Sequence, residues 1–393
     1  MSKGALGLLA AYWPEGTARY AHVPLERSTQ YCVHRTAAAE ADRPALVTPS
    51  RTIRYGELSR ETKAGASVLS GRVSAGARIA ILADDPAVAI PCLLAALEAD
   101  CTAWLAGAAP DAAALSAFAP ALVVGDAPPP GHEALAPAAL REGDPEASRP
   151  RPNLRNPVLA LPAPGGRGEV LHNHKTLVST AIAFGSFFLL EPGAELVLLE
   201  PPDHWLALAA LLGSLHKGAC VRAAYGPEGA RLLGAPCHYA VSRFASAEER
   251  YLGATPTLRD LRIGVGAILG IEGPFRVSRR RQLARRLGTA ALAVLGRNDL
   301  GPVIASHPTW YLDAAAGIPL PNVDAQPLDP SDGRRLAIGW DAVEEAELGV
   351  KSSLAPAGGE LVNEWLRSRW RAHTDPTGLY FLADRPLAIA PGA

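Results

Sequence analysis

Over residues 27–110, segments whose apolar residues have the spacing of a strand alternate with segments whose apolar residues have the spacing of a helix. Pro44–Val47 and residues 52–55 predict two short strands around a turn, and residues 56–69 place apolar side chains at helical spacing. Arg78–Leu82 predicts a buried strand. The acidic and proline residues at 84–86 then predict a helix start, with the helix running to residue 99. This strand–helix–strand order predicts a parallel sheet covered by helices.

A second block of strand-like and helix-like segments follows a proline-rich stretch at 143–157, which we interpret as a linker. Beyond residue 304 the segments become short and are separated by turn residues, which is typical of a β-rich unit. The pattern predicts three units: an α/β subdomain with an N-terminal extension and the linker (1–157), a second α/β subdomain (158–304) and a β-rich subdomain (305–393). In the second block we predict helices at 175–189, 205–216 and 275–287, and strands at 196–199, 220–223, 262–265 and 291–295.

Composition excludes a nucleic-acid-binding protein of the usual basic kind. The 393 residues are 48% hydrophobic, enough for large cores, and the formal net charge is -1. Binding to nucleic acid needs a clustered excess of Lys and Arg. The one basic cluster, at 279–286, has helical spacing and predicts a solvated helix face, with an anion site as the alternative.

Nothing in the sequence predicts a membrane or secreted protein. The longest apolar runs, at 181–190 and 206–215, have about ten residues, whereas a bilayer span needs ~20. The N-terminus lacks the small-residue cleavage site of a signal peptide. The five cysteines are scattered and form no C-x-x-C pair, which predicts buried thiols and neither disulfides nor a zinc site. We therefore expect a cytoplasmic protein without a membrane partner.

Seven short segments stand in a fixed order along the chain: DRPALV at 42–47, TIRYGEL at 52–58, GARIA at 76–80, PPDH at 201–204, KGA at 217–219, GRNDLGPVI at 296–304 and GIPLP at 317–321. Together they resemble the ordered motifs of the ANL superfamily, which comprises acyl- and aryl-CoA synthetases, NRPS adenylation domains and luciferases. The most specific segment is 296–304, where the family has YGxTExGPVI.

The resemblance implies an α/β fold, the ANL N-terminal region. Two αβ subdomains in an αβαβα arrangement would be joined by a small β-barrel, with ligands bound in the cleft between them. The matching motifs end near residue 385, where the family has a hinge that leads to a C-terminal lid with a catalytic lysine. We therefore expect the lid domain, whose closure completes the family's active site, to be absent.

The family's phosphate loop, T-S-G-T-T-G-x-P-K-G, precedes a His-x-His strand, which is HNH at 172–174 here. The corresponding stretch at 160–169 is ALPAPGGRGE. It lacks the hydroxyls, has Gly168 at the lysine position, and contains two prolines that cannot donate an N–H. The remaining glycines could form a small anion nest, with a merely structural turn as the alternative. The nucleotide-binding candidates in this loop are Gly165, Gly166 and Arg167.

The resemblance assigns four further nucleotide positions within and beside the motif at 296–304. Leu295 replaces the tyrosine that stacks on adenine, and Gly296 is retained. Asn298 replaces the threonine that contacts phosphate. Asp299 replaces the glutamate that holds Mg²⁺, and its side chain is one methylene shorter, for a metal that demands near-ideal octahedral distances. The family's ribose-binding aspartate falls on Asp375, in a loop that lacks the usual glycine.

On the acyl side of the implied cleft, His204 matches a histidine that gates the carboxylate site in many relatives. We take it as the catalytic candidate, and its neighbour Asp203 could tune its protonation. The helix that often lines the acyl pocket contributes an aromatic residue, although core packing explains the two aromatic candidates equally well. The substrate-binding candidates are Phe184, His204, Trp205, Gly266 and Ala267.

One rival motif, GVGAILG at 264–270, approximates a dinucleotide fingerprint after a predicted strand. It comes late in the chain, and no acidic residue stands ~20 positions further on to bind a ribose. An NAD(P) oxidoreductase is therefore disfavoured.

Three functions remain. The first is a repurposed ligase homologue that binds an acyl or aryl compound, free or linked to a carrier protein or CoA, without adenylation; specialised metabolism is its expected context. The second is an ATP-dependent adenylating ligase that uses a lid protein in trans. The third is a non-catalytic partner that docks another enzyme at its lid-docking face. Under the first hypothesis we expect no cofactor and no metal.

Overall fold

In the computed structural model, the chain forms three β-sheets with helices packed between and beside them. None of the helices in the ranges described has the length and apolar character that a bilayer span requires. The structure describes residues 13–24, 26–149, 151–166, 168–225, 232, 236–249, 266–271, 276–336, 346–356 and 361–383.

The largest sheet has nine strands: β1 (Pro44–Val47), β2 (Thr52–Arg54), β9 (Glu195–Leu198), β10 (Cys220–Ala223), β11 (Tyr239–Arg243), β12 (Gly266–Ile271), β13 (Ala290–Arg297), β14 (Gly301–Ala305) and β15 (Ile318–Pro319). Their order is β15-β14-β13-β12-β11-β9-β10-β1-β2. From β13 to β1 all neighbours pair in parallel. The carboxyl ends of parallel strands meet at one edge, so the loops after β9, β11 and β13 come together there.

The second sheet has six strands: β3 (Arg78–Leu82), β4 (Thr102–Leu105), β5 (Leu122–Gly125), β6 (Ala134–Leu135), β7 (Pro157–Pro162) and β8 (Glu169–Asn173). Their order is β6-β5-β3-β4-β7-β8. The sheet is parallel except for the hairpin of β7 and β8, in which Pro162 pairs with Glu169. The segment that resembles a phosphate loop is the tip of this hairpin.

The third sheet is a smaller, antiparallel, half-barrel-like sheet of five strands: β16 (Val323–Leu328), β17 (Glu347–Ser352), β18 (Leu361–Val362), β19 (Trp365–Thr374) and β20 (Tyr380–Leu382). It runs in the order β16-β17-β19-β18, with β20 beside β19. Side chains along β19 alternate between more and less buried positions, as expected for a strand with one face on a core. The fold class that the resemblance implied, two α/β sheets with a small β-barrel-like unit, is confirmed.

Eight α-helices are described: α1 (Tyr31–Ala39), α2 (Tyr55–Arg72), α3 (Pro86–Glu98), α4 (Ala112–Phe118), α5 (His174–Phe187), α6 (Trp205–Lys217), α7 (Phe244–Ala247) and α8 (Val277–Leu287). α6 is buried along nearly its whole length. Its sequence is apolar on every side, which is typical of a helix enclosed in a core. It packs on α5, on α1 and on strands of the nine-stranded sheet.

Most predicted elements are confirmed, because they are runs of clear periodicity closed by turn or capping residues. The strands at 44–47, 78–82 and 220–223 have the predicted bounds. The predicted acidic cap of α3 is Asp85, whose carboxylate accepts a hydrogen bond from the N–H of Ala87 at 2.8 Å. The strand predicted at 262–265 lies outside the described residues. α4 has no counterpart in the prediction, since seven residues are too few to establish a period.

The segment interpreted as a linker, residues 143–157, is irregular but packed. A Cβ on Gly143 would lie 2.1 Å from the carbonyl oxygen of Ala64. The carboxylate of Asp100 accepts hydrogen bonds from the backbone of Asn153 and the side chain of Asn156. The sheets also take strands from both sides of position 157, and the three-unit division of the chain stays a prediction.

Two sequence predictions about polar residues have different outcomes. All five cysteines lie in the described ranges and are buried thiols, as expected. The arginine-rich cluster forms α8 and exposes most of its side chains, but the prediction of a solvated face is wrong for Arg280, which is 1% exposed. Its guanidinium donates to the carbonyl oxygens of Ala291, Asp313 and Ala315. Spacing alone could not separate it from its exposed neighbours.

The glycine pattern at 264–270 does not form a dinucleotide-binding loop where it is described. Gly266 to Gly270 lie inside β12, which pairs in parallel with β11 on one side and β13 on the other. Backbone N–H groups in the middle of a sheet bond neighbouring strands, so they are not available to a phosphate. This placement removes the dinucleotide-binding alternative.

Candidate active-site cleft

A cleft of about 360 Å³ opens where the carboxyl ends of β9, β11 and β13 meet the tip of the β7–β8 hairpin. This is the edge at which open α/β sheets usually bind ligands. The volume lies at the lower end of the range of small-molecule sites. The cleft is lined by Pro162, Ala163, Pro164, Gly165, Gly166, Asp203, His204, Arg243, Arg297 and Asn298.

The hairpin tip is an open glycine turn, Pro164–Gly166, which we call the glycine turn. Gly165 and Gly166 have φ values of 78° and 72°, a conformation that favours glycine, and a Cβ on either would meet no atom within 4 Å. The N–H of Gly166 donates to the carbonyl oxygen of Ala163 at 3.0 Å. The two glycines therefore line the cleft, in a turn closed by its own backbone. Arg167, the third candidate of this loop, lies outside the described residues.

Asn298 joins three elements and is 7% exposed. Its Oδ1 accepts from the N–H of Trp205 at 2.9 Å, and its Nδ2 donates to the carbonyl oxygen of Pro162 at 2.7 Å. Its own carbonyl oxygen lies 2.8 Å from Nε2 of His172, which burial keeps neutral by lowering the pKa to about 4. The residue at the family's phosphate-contacting position thus ties β7, β8 and α6 to β13.

Asp299, at the family's metal position, is held by Arg297. The guanidinium donates through Nε and Nη2 to the two carboxylate oxygens, at 2.5 and 2.8 Å. Nη1 of Arg297 also donates to the carbonyl oxygen of Ser368 at 2.6 Å and so anchors the pair to β19. Such bidentate pairs are among the stronger polar contacts in proteins. In the part of the chain that the structure describes, no cluster of three His, Cys, Asp or Glu side chains is suited to a metal ion.

Trp205 fills the space beneath the cleft between β12 and β13. It is 1% exposed, and a Cβ on Gly296 would lie 2.6 Å from its Cζ3. A Cβ on Gly270 would lie 3.3 Å from Cζ2 of the same indole. The indole therefore fills the space that a side chain at position 296 would need, which explains the glycine there. Trp205, Gly270, Gly296, Asn298 and His172 together form what we call the cleft floor.

Asp203, His204 and Arg243 supply the charge and the acid–base groups of the cleft. His204 is the N-cap of α6, where its Nδ1 accepts from the N–H of Leu206 at 3.4 Å. Burial raises the pKa of the Asp203 carboxyl, although Arg243 and His204 partly offset that effect. Burial alone also raises the pKa of Glu200, but hydrogen bonds from Ser242 and Arg243 outweigh it and hold that pKa below its ordinary value. The carboxylate of Glu200 is thus the buried counter-charge of Arg243.

Several predicted site residues do not reach the cleft lining. Phe184 is fully buried in α5, its ring centroid 4.6 Å from that of Phe188. Gly266 and Ala267 lie at the amino end of β12, the end opposite the cleft. Asp375 caps the turn between β19 and β20, where its Oδ1 accepts hydrogen bonds from the backbone of Thr377 and Leu379 and the hydroxyl of Thr377.

Two arginines of the cleft were missed by the sequence reasoning. Arg297 stands at the unspecified position of the YGxTE-like motif, and a charge beside an acidic residue in that motif was a usable signal. Arg243 ends β11, a strand that was not predicted. The only feature of the sequence that could have indicated Arg243 is its position after a short run of alternating apolar residues.

Comparison of the structure with solved structures identifies the fold. ATP-bound MatB from Rhodopseudomonas palustris is similar with a TM-score of 0.78 and 18% identity, over 91% of this chain and 79% of that one. The anthranilate CoA ligase AuaEII, in complex with anthranoyl-AMP, has a TM-score of 0.77 and 14% identity, over 92% and 79%. The N-terminal subdomain of Klebsiella oxytoca NpsA, in complex with 3-hydroxyanthranilyl-AMSN, has a TM-score of 0.76 and 16% identity, over 91% and 100%.

These similarities confirm the ANL resemblance as a matter of fold. The chain has the architecture of the N-terminal region of acyl- and aryl-CoA ligases and of NRPS adenylation domains. No protein-family model matches the sequence, and no curated protein sequence does either. At identities below 20% the reaction has to be argued from the cleft itself.

Proposed function

We propose that this protein binds an acyl or aryl compound in the cleft, free or linked to a carrier protein or CoA, and does not adenylate it. The observation that carries the proposal is the bidentate Arg297–Asp299 pair. A carboxylate that already neutralises a guanidinium is a poor ligand for Mg²⁺, which requires close, near-octahedral oxygen contacts. Freeing Asp299 would also leave a partly buried arginine without its partner, which is costly.

Asn298 and the prolines of the hairpin tip do not fit ATP–Mg²⁺ either. Both polar ends of the Asn298 side chain are engaged with the protein. Pro162 and Pro164 offer no N–H to a phosphate, and no lysine is among the described residues that line the cleft. Phosphoryl and adenylyl transfer depend on positioned positive charge and donors. We therefore derive no step through ATP.

Two residues with ionisable side chains, Asp203 and His204, also line the cleft. Under this proposal His204 is the catalytic group, and Asp203 and Arg243 set its electrostatic surroundings. Two similar structures support the substrate class: AuaEII is an anthranilate CoA ligase, and NpsA–ThdA is an artificially fused adenylation–PCP di-domain. Acyl or aryl groups and carrier proteins are thus handled on this fold. The proposed setting is specialised metabolism in the cytoplasm.

Calorimetry with ATP–Mg²⁺ and with 3-hydroxyanthranilyl-AMSN tests the loss of adenylation. We expect no binding of either compound at roughly micromolar concentrations. The NpsA N-terminal subdomain serves as the positive control for the adenylate mimic. Micromolar binding of either compound would overturn the proposal in favour of an adenylating ligase that works with a lid in trans.

A screen with acyl-CoA and acyl-carrier thioesters tests the substrate class. The matched variant is His204→Asn, because asparagine is itself a preferred N-cap and keeps an acceptor for the N–H of Leu206. We expect wild-type protein to bind or turn over at least one thioester, and the variant to lose turnover with unchanged thermal stability. If no thioester binds or reacts, the remaining function is that of a non-catalytic partner for another enzyme.

A further inference from the structure

A cluster of basic side chains lies at the carboxyl end of α6, where α1 packs on that helix. Nη2 of Arg35 donates to the carbonyl oxygen of His216, the penultimate residue of α6. Lys217 is the last residue, and its side chain runs along α5, where a Cβ on Gly185 would lie 2.8 Å from Cγ of Lys217. This end of α6 leads into the amino end of β10, so the cluster lies at the edge of the nine-stranded sheet opposite the cleft.

Two cations of this cluster have no acidic partner. Among the described residues, no carboxylate forms an ion pair with Arg35 or Lys217. The pKa of Lys217 is lowered, first by burial and then by the charge of Arg35, and the charge of Glu191 offsets only part of that effect. The carboxyl end of a helix carries a partial negative charge of about half an elementary charge, which compensates only part of two full positive charges. The cluster therefore holds positive charge that the described part of the protein does not neutralise.

The imidazole of His216 belongs to the same cluster and lacks a hydrogen-bond partner. The residue is 7% exposed, and neither ring nitrogen is hydrogen-bonded to any of the described residues. Burial, together with the charges of Arg35 and Lys217, lowers the pKa of the ring to about 4, so it is neutral near pH 7 and carries one N–H donor. Buried polar groups in native proteins are nearly always paired, so an unpaired one indicates a partner from outside the chain, either a ligand or an ordered water.

We propose that Arg35, Lys217 and His216 bind a doubly charged oxyanion of the phosphate type, either inorganic phosphate or the phosphate group of a small monoester. Its two negative charges match the two positive charges that lack an acidic partner. Guanidinium, ammonium and imidazole N–H groups are donors that phosphate oxygens accept, and a bound anion relieves the repulsion between the two cations. The site is remote from the cleft and does not depend on the function proposed for it.

Calorimetry at low ionic strength, with inorganic phosphate and with glycerol 3-phosphate, tests the proposal and separates the two sources of the anion. We expect at least one of them to bind with a dissociation constant of roughly a millimolar or tighter. Tighter binding of glycerol 3-phosphate assigns the site to a monoester, and equal or tighter binding of inorganic phosphate assigns it to the free ion. Sodium chloride at the same ionic strength is the control for screening. The proposal is overturned if neither compound binds, or if chloride gives the same heat.

Three variants locate the binding. Arg35→Gln and Lys217→Gln should each weaken binding of the anion by about tenfold or more, because each removes one of the two charges. Glutamine at position 35 keeps an N–H donor for the carbonyl oxygen of His216. Lys175→Gln is the matched control, since Lys175 lies ten residues before Gly185 in α5, about 15 Å along the helix, and should bind as the wild type does. If the first two variants are folded by circular dichroism and also bind like the wild type, the proposed site is wrong.

Chemical modification tests the same site in the unaltered protein. Methyl acetimidate reacts with the uncharged form of an amine, and mass spectrometry measures the extent of reaction at each lysine. Phosphate at about ten times its dissociation constant should slow the modification of Lys217 by about fivefold or more, because a bound anion covers the amine and favours its charged form. Lys175 should react at the same rate with and without phosphate. An unchanged rate at Lys217 would contradict the proposal even if the variants fail to fold.

Discussion

The glycine turn and the cleft floor both use glycine, but for opposite reasons. In the turn, Gly165 and Gly166 have positive φ values and open space on the side of a Cβ. In the floor, Gly296 has no such φ, and Trp205 fills the space that a Cβ would take. In the turn, glycine is required by the backbone conformation, at a surface that a ligand can reach. In the floor, glycine is required by packing, because the side chain of Trp205 fills the space.

This difference bears on the proposed function. In this protein the indole of Trp205 and the amide of Asn298 occupy the region beneath the cleft. Under the proposed function, a ligand would bind at the polar rim around Asp203, His204 and the glycine turn. We expect substitutions in the floor to be costly and substitutions in the turn to be tolerated.

The largest effect is expected for Trp205→Ala. Removing a buried indole costs about 4 kcal/mol of unfolding free energy, because the surrounding core cannot fully close the space. Urea unfolding measures the loss. The variant should also bind indole, since the emptied space adjoins the cleft. A loss of less than about 1 kcal/mol would mean that the floor collapses around the missing ring, which contradicts a filled, rigid floor.

The pH dependence of stability should report on His172 in the floor. Its pKa is lowered by burial from 6.5 to about 4, so the folded state holds fewer protons than the unfolded state between these values. Stability that is complete above pH 6.5 is therefore lost as the pH falls towards 4, by up to about 3 kcal/mol for this residue.

His216 and His307 have pKa values lowered to about 4 by burial as well, and they add to the loss. His172→Gln, which keeps a donor for the carbonyl oxygen of Asn298, should flatten the curve of melting temperature against pH without abolishing its slope. An unchanged curve in this variant would show that His172 titrates normally and that the floor is open to solvent.

Gly296→Ala and Gly166→Ala compare the two regions directly. The first should cost about 2 kcal/mol or more, because its Cβ meets the indole at 2.6 Å and the carbonyl oxygen of Gly301 at 2.7 Å. The second should cost about 1 kcal/mol, the strain of a positive φ with no steric clash. Chemical unfolding of both variants measures the difference. Equal costs would remove the distinction between the turn and the floor.

The smallest expected effect is the energetic coupling between the substitutions Trp205→Ala and Gly296→Ala. In a Trp205→Ala background, Gly296→Ala should cost about 1 kcal/mol less than in the wild type, since the clash with the indole is gone. The contact with Gly301 remains and keeps the cost above zero. A double-mutant cycle of unfolding free energies measures the coupling, and strict additivity would show that the indole is not what excludes a side chain at Gly296.

Much of the fold was predictable from the sequence because its elements are locally encoded. The apolar runs of β3 and β10 and the acidic cap of α3 needed only short-range information. The order of the motifs, with the segment at 296–304 as the strongest, was enough to predict the ANL architecture. α4 and β11 were not predicted, because both are too short to establish a period, although α4 begins with an aspartate N-cap, Asp111.

The candidate site was predicted less completely. His204, Asn298 and the two turn glycines line the cleft, and each belongs to a recognisable motif, but their roles stay predictions. Phe184 and Trp205 belong to the core, and nothing in a sequence distinguishes an aromatic that lines a pocket from one that fills it. Arg243 was missed because its place in the cleft depends on which strands become neighbours.

The sequence by itself determined the class of fold and which positions differ from the ANL motifs that it resembles, because motifs and periodicity are properties of neighbouring residues along the chain. Only the tertiary structure decided what the replacements do. It paired Asp299 with Arg297, engaged Asn298 with β7 and α6, and set Trp205 under Gly296. These contacts join residues far apart in sequence, and their existence depends on distances that close only when the sheets and helices pack together.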